Sequence, residues 1–296
     1  MSGRTNKKDL ITRKYRKRSS SGQLFYSVMK NKGSLVGFVI ICIILLTFVA
    51  ALFISYNSMA ATSAANRIQP PSLEFPFGTD NLGRNLFLRI VYGARYSVTI
   101  GFACTFLSLF FGVLIGAVSG FYGGLVDNII MRIADVISSI PGMLFTMVIM
   151  TAFGQSLGNM IFAMGVNGIT MYVRITRASV LAVRGNEFVE ASKAMGISNF
   201  RIIYTEVLPN GMAPIIITVT TGIGMTIMAA SGLSFIGFGV PPPLPEWGGL
   251  VSSGRAYLRT APWISAFPGV AIMLVTLSFN MLGDGLRTAL DPKQKR

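Results

Sequence analysis

"EFVEASKAMGISNFRIIYTEVLPN", Glu187 to Asn210, sets three glutamates, a lysine and an arginine between two long apolar runs. Phe188, Ala191 and Met195 recur at helical spacing while Glu187, Glu190 and Lys193 fall on other faces, so Glu187 to Met195 reads as a short amphipathic helix. Gly196 can end that helix in a left-handed conformation that side chains with a Cβ resist. Ser198 stands where it can cap a second helix, with Phe200, Ile203, Tyr204 and Val207 as its apolar stripe and Pro209 as its stop. The predicted unit is a helix, a glycine hinge and a helix. It is either a surface hairpin that joins its flanks or a docking element for another protein; simple connections are usually shorter, which favours docking.

The surroundings of this unit set the fold class. Of 296 residues, 52% are hydrophobic and only 12% charged, against about 25% charged in soluble domains. The chain contains no histidine, which excludes a histidine base, a histidine metal ligand and Ser-His or Cys-His nucleophile pairs. Cys42 and Cys104 each fall inside apolar runs, far from each other and from other metal-ligating types, and read as packing residues.

Five windows lack Asp, Glu, Lys and Arg: Gly33 to Tyr56, Tyr96 to Val126, Val136 to Val173, Val207 to Pro245 and Thr260 to Gly283. A spanning helix needs about 20 apolar residues. The third window is too long for one helix and is interrupted by "FGQSLGN" (Phe153 to Asn159), so it reads as a helical hairpin. The expectation is an all-α polytopic membrane protein with six spans, near 34–56, 96–120, 128–152, 159–180, 211–237 and 264–284. A basic tail (1–33) precedes the transmembrane region (34–288), and a short tail (289–296) follows it.

Charge placement orients the spans. With the N terminus inside, 20 Lys and Arg residues collect on the cytoplasmic side, while Arg67, Arg84, Arg89, Arg95, Arg255 and Arg259 lie outside. The net charge of +15 is then a topology signal before it is a nucleic-acid signal. Segments 57–95 and 238–262 become extracytoplasmic loops, and 186–209 faces the cytoplasm. The first span is about twice as long as the apolar region of a cleaved signal and reads as an anchor.

The remaining motifs offer little catalytic chemistry. "GTDNLGRN" (Gly78 to Asn85) lacks the Lys and Ser/Thr of a phosphate-cradling loop and reads as a turn with a helix start at Asp80 or Asn81. Gly112, Gly116 and Gly120, four residues apart, make a smooth strip for close helix packing. Asp127, Arg132 and Asp135 cluster near one predicted helix end and read as an interfacial ion pair rather than a relay. No span carries a charge near its middle, which disfavours a proton-driven transporter or an intramembrane enzyme.

"EASKAMGISNFRIIYTEVLP" resembles the cytoplasmic EAA loop of ABC-importer permeases: Glu-Ala-Ala, three residues, Gly, nine residues, Ile, one residue, Leu-Pro. Glu190, Ala191, Gly196, Leu208 and Pro209 match, whereas Ser192 replaces the second alanine and Glu206 stands at the isoleucine position. From about Phe75 to Pro292 the chain is similar to the C-type permease subunit of dipeptide and oligopeptide importers, a family that includes nickel importers. The resemblance rests on "FGTDNLGRNLFLRIVYGARYSV", "DNIIMRIADVISSIP", "PEWGGLVSSGR", "APWISAFPG" and "FNMLGDGLRTALDP".

The resemblance implies a type I ABC-importer permease fold in the bacterial plasma membrane, with both termini cytoplasmic. It implies a heterodimer with a related permease, two cytoplasmic ATPase chains that bind ATP and Mg, and an extracytoplasmic substrate-binding protein. This chain itself would hold no cofactor and no metal and bind no nucleic acid. The coupling residues it implies are Glu187, Glu190, Ala191, Ser192, Gly196, Leu208 and Pro209. Peptide transport is the expected activity; a nickel or metal-chelate importer, an ATP-independent secondary transporter or channel, and a recruiting scaffold are the alternatives.

Overall fold

The structure is a computed structural model that describes residues 20–290; the tail before residue 20 and the segment after residue 290 lie outside it. The described chain is helical. α1 (Ser20–Lys30) leads into α2 (Lys32–Phe53), whose start is capped by the Asn31 side chain accepting from the amides of Gly33 and Ser34. A short α3 (Tyr56–Ala60) and a looped segment precede α4 (Leu86–Tyr122), and α5 (Gly124–Ser138), α6 (Gly142–Phe153) and α7 (Leu157–Val183) follow. α8 (Glu187–Ala194) and α9 (Asn199–Ile202) come next, then a π turn (Ile203–Val207) and α10 (Leu208–Phe235). α11 (Trp247–Gly254) and α12 (Trp263–Leu290) complete the fold.

α4 is the central element. α7 runs along one side of it, α10 packs against α4, α7 and α12, and α2 lies against α12 and α4. The α4–α7 contact is close because Gly112, Gly116 and Gly120 face α7: a Cβ on Gly116 would lie 2.6 Å from the Val173 carbonyl, and one on Gly120 2.9 Å from that of Arg177. Gly112 abuts Tyr172 in the same way. One apolar cluster joins α2, α4, α10, α11 and α12 through Ile41, Ile90, Ile227, Trp247 and Phe279. A second joins α4, α6, α7 and α10 through Cys104, Met150, Met160 and Leu233. Many large apolar side chains point outward, among them Phe53, Phe106 and Val148, as expected where lipid rather than water is the solvent.

Four described helices are long and apolar enough to cross a membrane, or five if α5 and α6 together make one broken span. The six expected spans are therefore not reached by apolar length alone. The expected span at 128–152 is two helices bent by 78° about Ser139 to Pro141. Pro141 has no N–H to continue the ladder, and the backbone turns there. α7, expected at 159–180, is 27 residues long but, with Arg174, Arg177 and several hydroxyls, is less apolar than those four.

The start of α4 differs from both expectations for it. α4 begins ten residues before 96, because Arg89 is buried on Asp80 and Arg95 lies over the Tyr92 ring at 5.0 Å, so neither arginine ends the helix. It starts at Leu86 rather than at Asp80 or Asn81: Asn85 Oδ1 accepts from the Leu88 amide. Asp80 instead braces the preceding loop, Oδ1 accepting from the amides of Leu82 and Arg84, and Oδ2 from the Arg84 and Arg89 guanidiniums.

Candidate coupling surface

At the end of the bundle that the basic asymmetry assigns to the cytoplasm, α4 finishes at Gly123 and α7 at Arg184. Arg184 donates to the carbonyls of Gly120 (2.8 Å) and Phe121 (3.2 Å), so a cation from α7 covers the exposed carbonyl end of α4. Asp127 on α5 takes a bidentate bond from Arg177, Nε at 2.5 Å and Nη2 at 2.6 Å, and a third from Ser119 Oγ. Asp135 pairs with Arg174 at 2.7 Å. Both carboxylates thus reach across to α7 instead of pairing with Arg132, and they tie α4, α5 and α7 into one frame.

The short-helix unit is seated on this frame. α8 carries Glu187 and Glu190 in its first turn and Lys193 in its last, the order that suits the helix dipole. Gly196 has φ +74°, its amide donates to Lys193 O (3.0 Å) and that of Ile197 to Ser192 O (3.2 Å), which is a Schellman close. A Cβ on Gly196 would meet nothing within 4 Å, so its requirement is conformational and not steric. Ser198 occupies the capping position of α9, but its side chain makes no capping bond.

The unit buries Val189, Ile202, Ile203 and Val207 against Ala117, Phe121, Val180 and Val183 of α4 and α7. Lys193 Nζ sits 5.1 Å over the Phe121 ring. The expected stripe of Phe188, Ala191 and Met195 does share a face, but that face points outward: Met195 is 70% exposed and Phe188 42%. In the second helix the expected stripe divides. Ile203 and Val207 are buried, whereas Phe200, 71% exposed, and Tyr204 join the outward patch with ring centroids 4.7 Å apart.

The two departures from the EAA pattern meet. Ser192 Oγ lies 2.7 and 2.8 Å from the two carboxylate oxygens of Glu206, so the hydroxyl of α8 donates across to the π turn. Pro209 does not stop the second helix; Asn199 to Phe235 is a continuous helical run of 37 residues. The π turn absorbs the proline: the Leu208 amide donates back to Ile203 O, and Asn210 Nδ2 donates to the Glu206 carbonyl at 2.6 Å. Leu208 is buried and Pro209 exposed. Glu187, Glu190 and Ala191 are exposed beside the aromatic patch. The Ser192–Glu206 pair had no signal in helical periodicity, because its partners lie on different elements.

Halfway along the bundle, a cavity of about 370 Å³ opens between α4, α7 and α10. Thr105, Asn167, Tyr172, Thr221 and Thr226 supply its polar wall and Met164, Met171 and Met225 part of its apolar one, without an ionisable carboxylate or amine.

Comparison with known proteins agrees with this architecture. The family model for the binding-protein-dependent transport system inner membrane component matches residues 112–296. The dipeptide transport system permease protein DppC of Alkalihalophilus pseudofirmus is 43% identical over 273 residues, 92% of this chain and 90% of that protein. The oligopeptide transport system permease protein OppC of Bacillus subtilis is 39% identical over 266 residues, 90% and 87% of the two chains. Among solved structures, an inward-facing form of the MetNI methionine ABC transporter has the same fold, with a TM-score of 0.58 at 16% identity, over 70% of this chain and 98% of that one. The chain belongs to the family of binding-protein-dependent transport system inner membrane components, and is a membrane-spanning permease of an ABC importer rather than an enzyme.

Proposed function

We propose that this chain forms half of the translocation path of an ATP-driven importer of di- and oligopeptides. It pairs with a second related permease, stands on two ATPase chains in the cytoplasm and receives substrate from an extracytoplasmic binding protein. The observation that carries the reading is the outward apolar face of the α8–α9 unit, Phe188, Met195, Phe200 and Tyr204, held on a frame of buried contacts. Exposed aromatic residues beside acidic ones on a fixed helical scaffold have the composition of an interface hot spot. A groove in an ATPase that grips this face moves the bundle with it, since α9 runs without a break into α10. ATP-driven closure of the ATPase pair would then tilt the helices toward an outward-open state.

The peptide assignment follows from relatives that carry that activity in their names and from the chemistry of the mid-bundle cavity. Hydroxyl and amide side chains can bond a peptide backbone whatever its sequence, and methionines adapt to different side chains. The test is uptake by proteoliposomes that contain all partner subunits. Peptide uptake that needs ATP and survives collapse of ion gradients is expected. Uptake driven by an ion gradient without ATP would refute the importer reading, and ATP-dependent uptake of nickel alone would refute the peptide reading.

A further inference from the structure

At the opposite end of the bundle lies a second cavity, of about 300 Å³, at the small end of the range for ligand pockets. It is walled by Pro241, Pro242 and Pro243, which have no N–H to donate, and by Arg84, Arg89 and Ser234. Two groups in this wall are buried and have no hydrogen-bond partner: Arg89 Nε and Ser234 Oγ. Both residues are 5% exposed. The neighbouring hydroxyls are already committed, Ser252 to Phe235 O and Ser253 to Leu250 O.

The charges around the cavity leave the arginines under-compensated. Among the described residues, Asp80 is the single carboxylate paired with both guanidiniums. The other buried carboxylate nearby, Glu246, is satisfied elsewhere: it accepts from the amides of Gly248 and Gly249 at 2.9 Å and from Ser97. An orphaned buried N–H on a cation is costly and calls for an anionic oxygen. The orphans stand on α4 and α10, two of the helices that line the mid-bundle cavity.

We infer that this cavity is a subsite for the free carboxylate of a short peptide, held by Arg89 Nε and Ser234 Oγ as the substrate enters the path. The inference rests on the peptide reading above and on the same orientation of the bundle. Water alone would fill a bond to Ser234 and leave the cationic excess in place. The ligand is therefore an oxyanion, and on the entry side of a peptide path the oxyanion every substrate carries is its C-terminal carboxylate.

The test compares a dipeptide with its C-terminal amide in the reconstituted wild-type complex and in complexes with Arg89→Lys or Ser234→Ala. Arg89→Lys keeps a cation for Asp80 and removes Nε; Ser234→Ala removes only the hydroxyl. The preference for free acid over amide in uptake is expected to fall about tenfold in either variant. In a second arm, millimolar dipeptide, but not its amide, is expected to raise the thermal midpoint of the wild-type permease complex in detergent without binding protein. An unchanged acid-to-amide ratio in both variants, or equal stabilisation by acid and amide, overturns the inference. Stabilisation by anionic lipid alone also overturns it and reassigns the cavity to a headgroup. If the wild type takes up no peptide at all, the peptide reading fails, while the stabilisation arm still judges the carboxylate site.

Discussion

The Ser192–Glu206 contact makes a quantitative prediction, because one hydroxyl serves both oxygens of a half-buried carboxylate. Hydrogen bonds to charged groups contribute roughly 1.5–3 kcal/mol when buried. Water reaches Glu206 in part, so Ser192→Ala should cost about 1–2 kcal/mol of the energy that holds α8 against the π turn. Glu206→Ile alone should cost a similar amount, since it strands the Ser192 hydroxyl, whose residue is 5% exposed. The double variant restores the Ala and Ile of the EAA pattern, replaces both polar partners by apolar groups and should recover most of the loss. A cycle over the four proteins, read as substrate-stimulated ATPase activity and as the thermal midpoint of the permease, should give an interaction energy of about 1 kcal/mol or more. Single effects that add to the double within about 0.3 kcal/mol would show that the two residues act independently, and would refute the view that they form one locked contact.

Three further outcomes follow from the geometry. At Gly196, open space and φ +74° mean that Gly196→Ala should cost only about 1–2 kcal/mol of hinge stability. Gly196→Val should cost more and uncouple ATP hydrolysis from uptake, as measured by transported substrate per ATP. Gly116→Leu has no room against the Val173 carbonyl and should separate α4 from α7, lowering the yield of folded protein and its thermal midpoint. Phe200→Ala should leave the permease folded, because the ring is exposed, yet weaken binding of the purified ATPase by more than about 1 kcal/mol in a titration.

The apolar windows, the left-handed glycine and the small-residue strip were all legible in the sequence, because each rests on a single local rule. What was not legible shares a physical cause: a charge or a proline whose cost is met by a contact that composition and periodicity do not identify. Arg89 and Arg95 read as the edge of a span, yet Asp80 and Tyr92 carry them inside a helix. Pro209 read as a stop, yet the π turn and the Asn210 amide accommodate it. Conversely, Pro141 does break the third span, inside a charge-free window that apolar length alone does not divide. Periodicity grouped Phe188, Ala191 and Met195 on one face but cannot say which way a face points. Val189, on the opposite side, meets the frame, and Ser192 meets Glu206 of the π turn. The second cavity went unseen because Arg84 and Arg89 converge with Ser234 and Pro243 from distant stretches.

The unbroken helix from Asn199 to Phe235 has a mechanical consequence. One of its close backbone approaches to a neighbour in the bundle lies at Gly224, where a Cβ would sit 3.1 Å from the Thr276 Cα. If that point is the fulcrum, Phe200 lies about 36 Å away on one arm and Ser234 about 15 Å away on the other, at 1.5 Å of rise per residue. A sideways pull of about 4 Å on the docking face then swings the Ser234 end by roughly 1.7 Å the opposite way. That is more than half the length of a hydrogen bond, enough to break a grip on a carboxylate. On the proposed reading, a rod held by an ATPase at one end would loosen the substrate's anchor at the other, and release and power stroke would be a single movement.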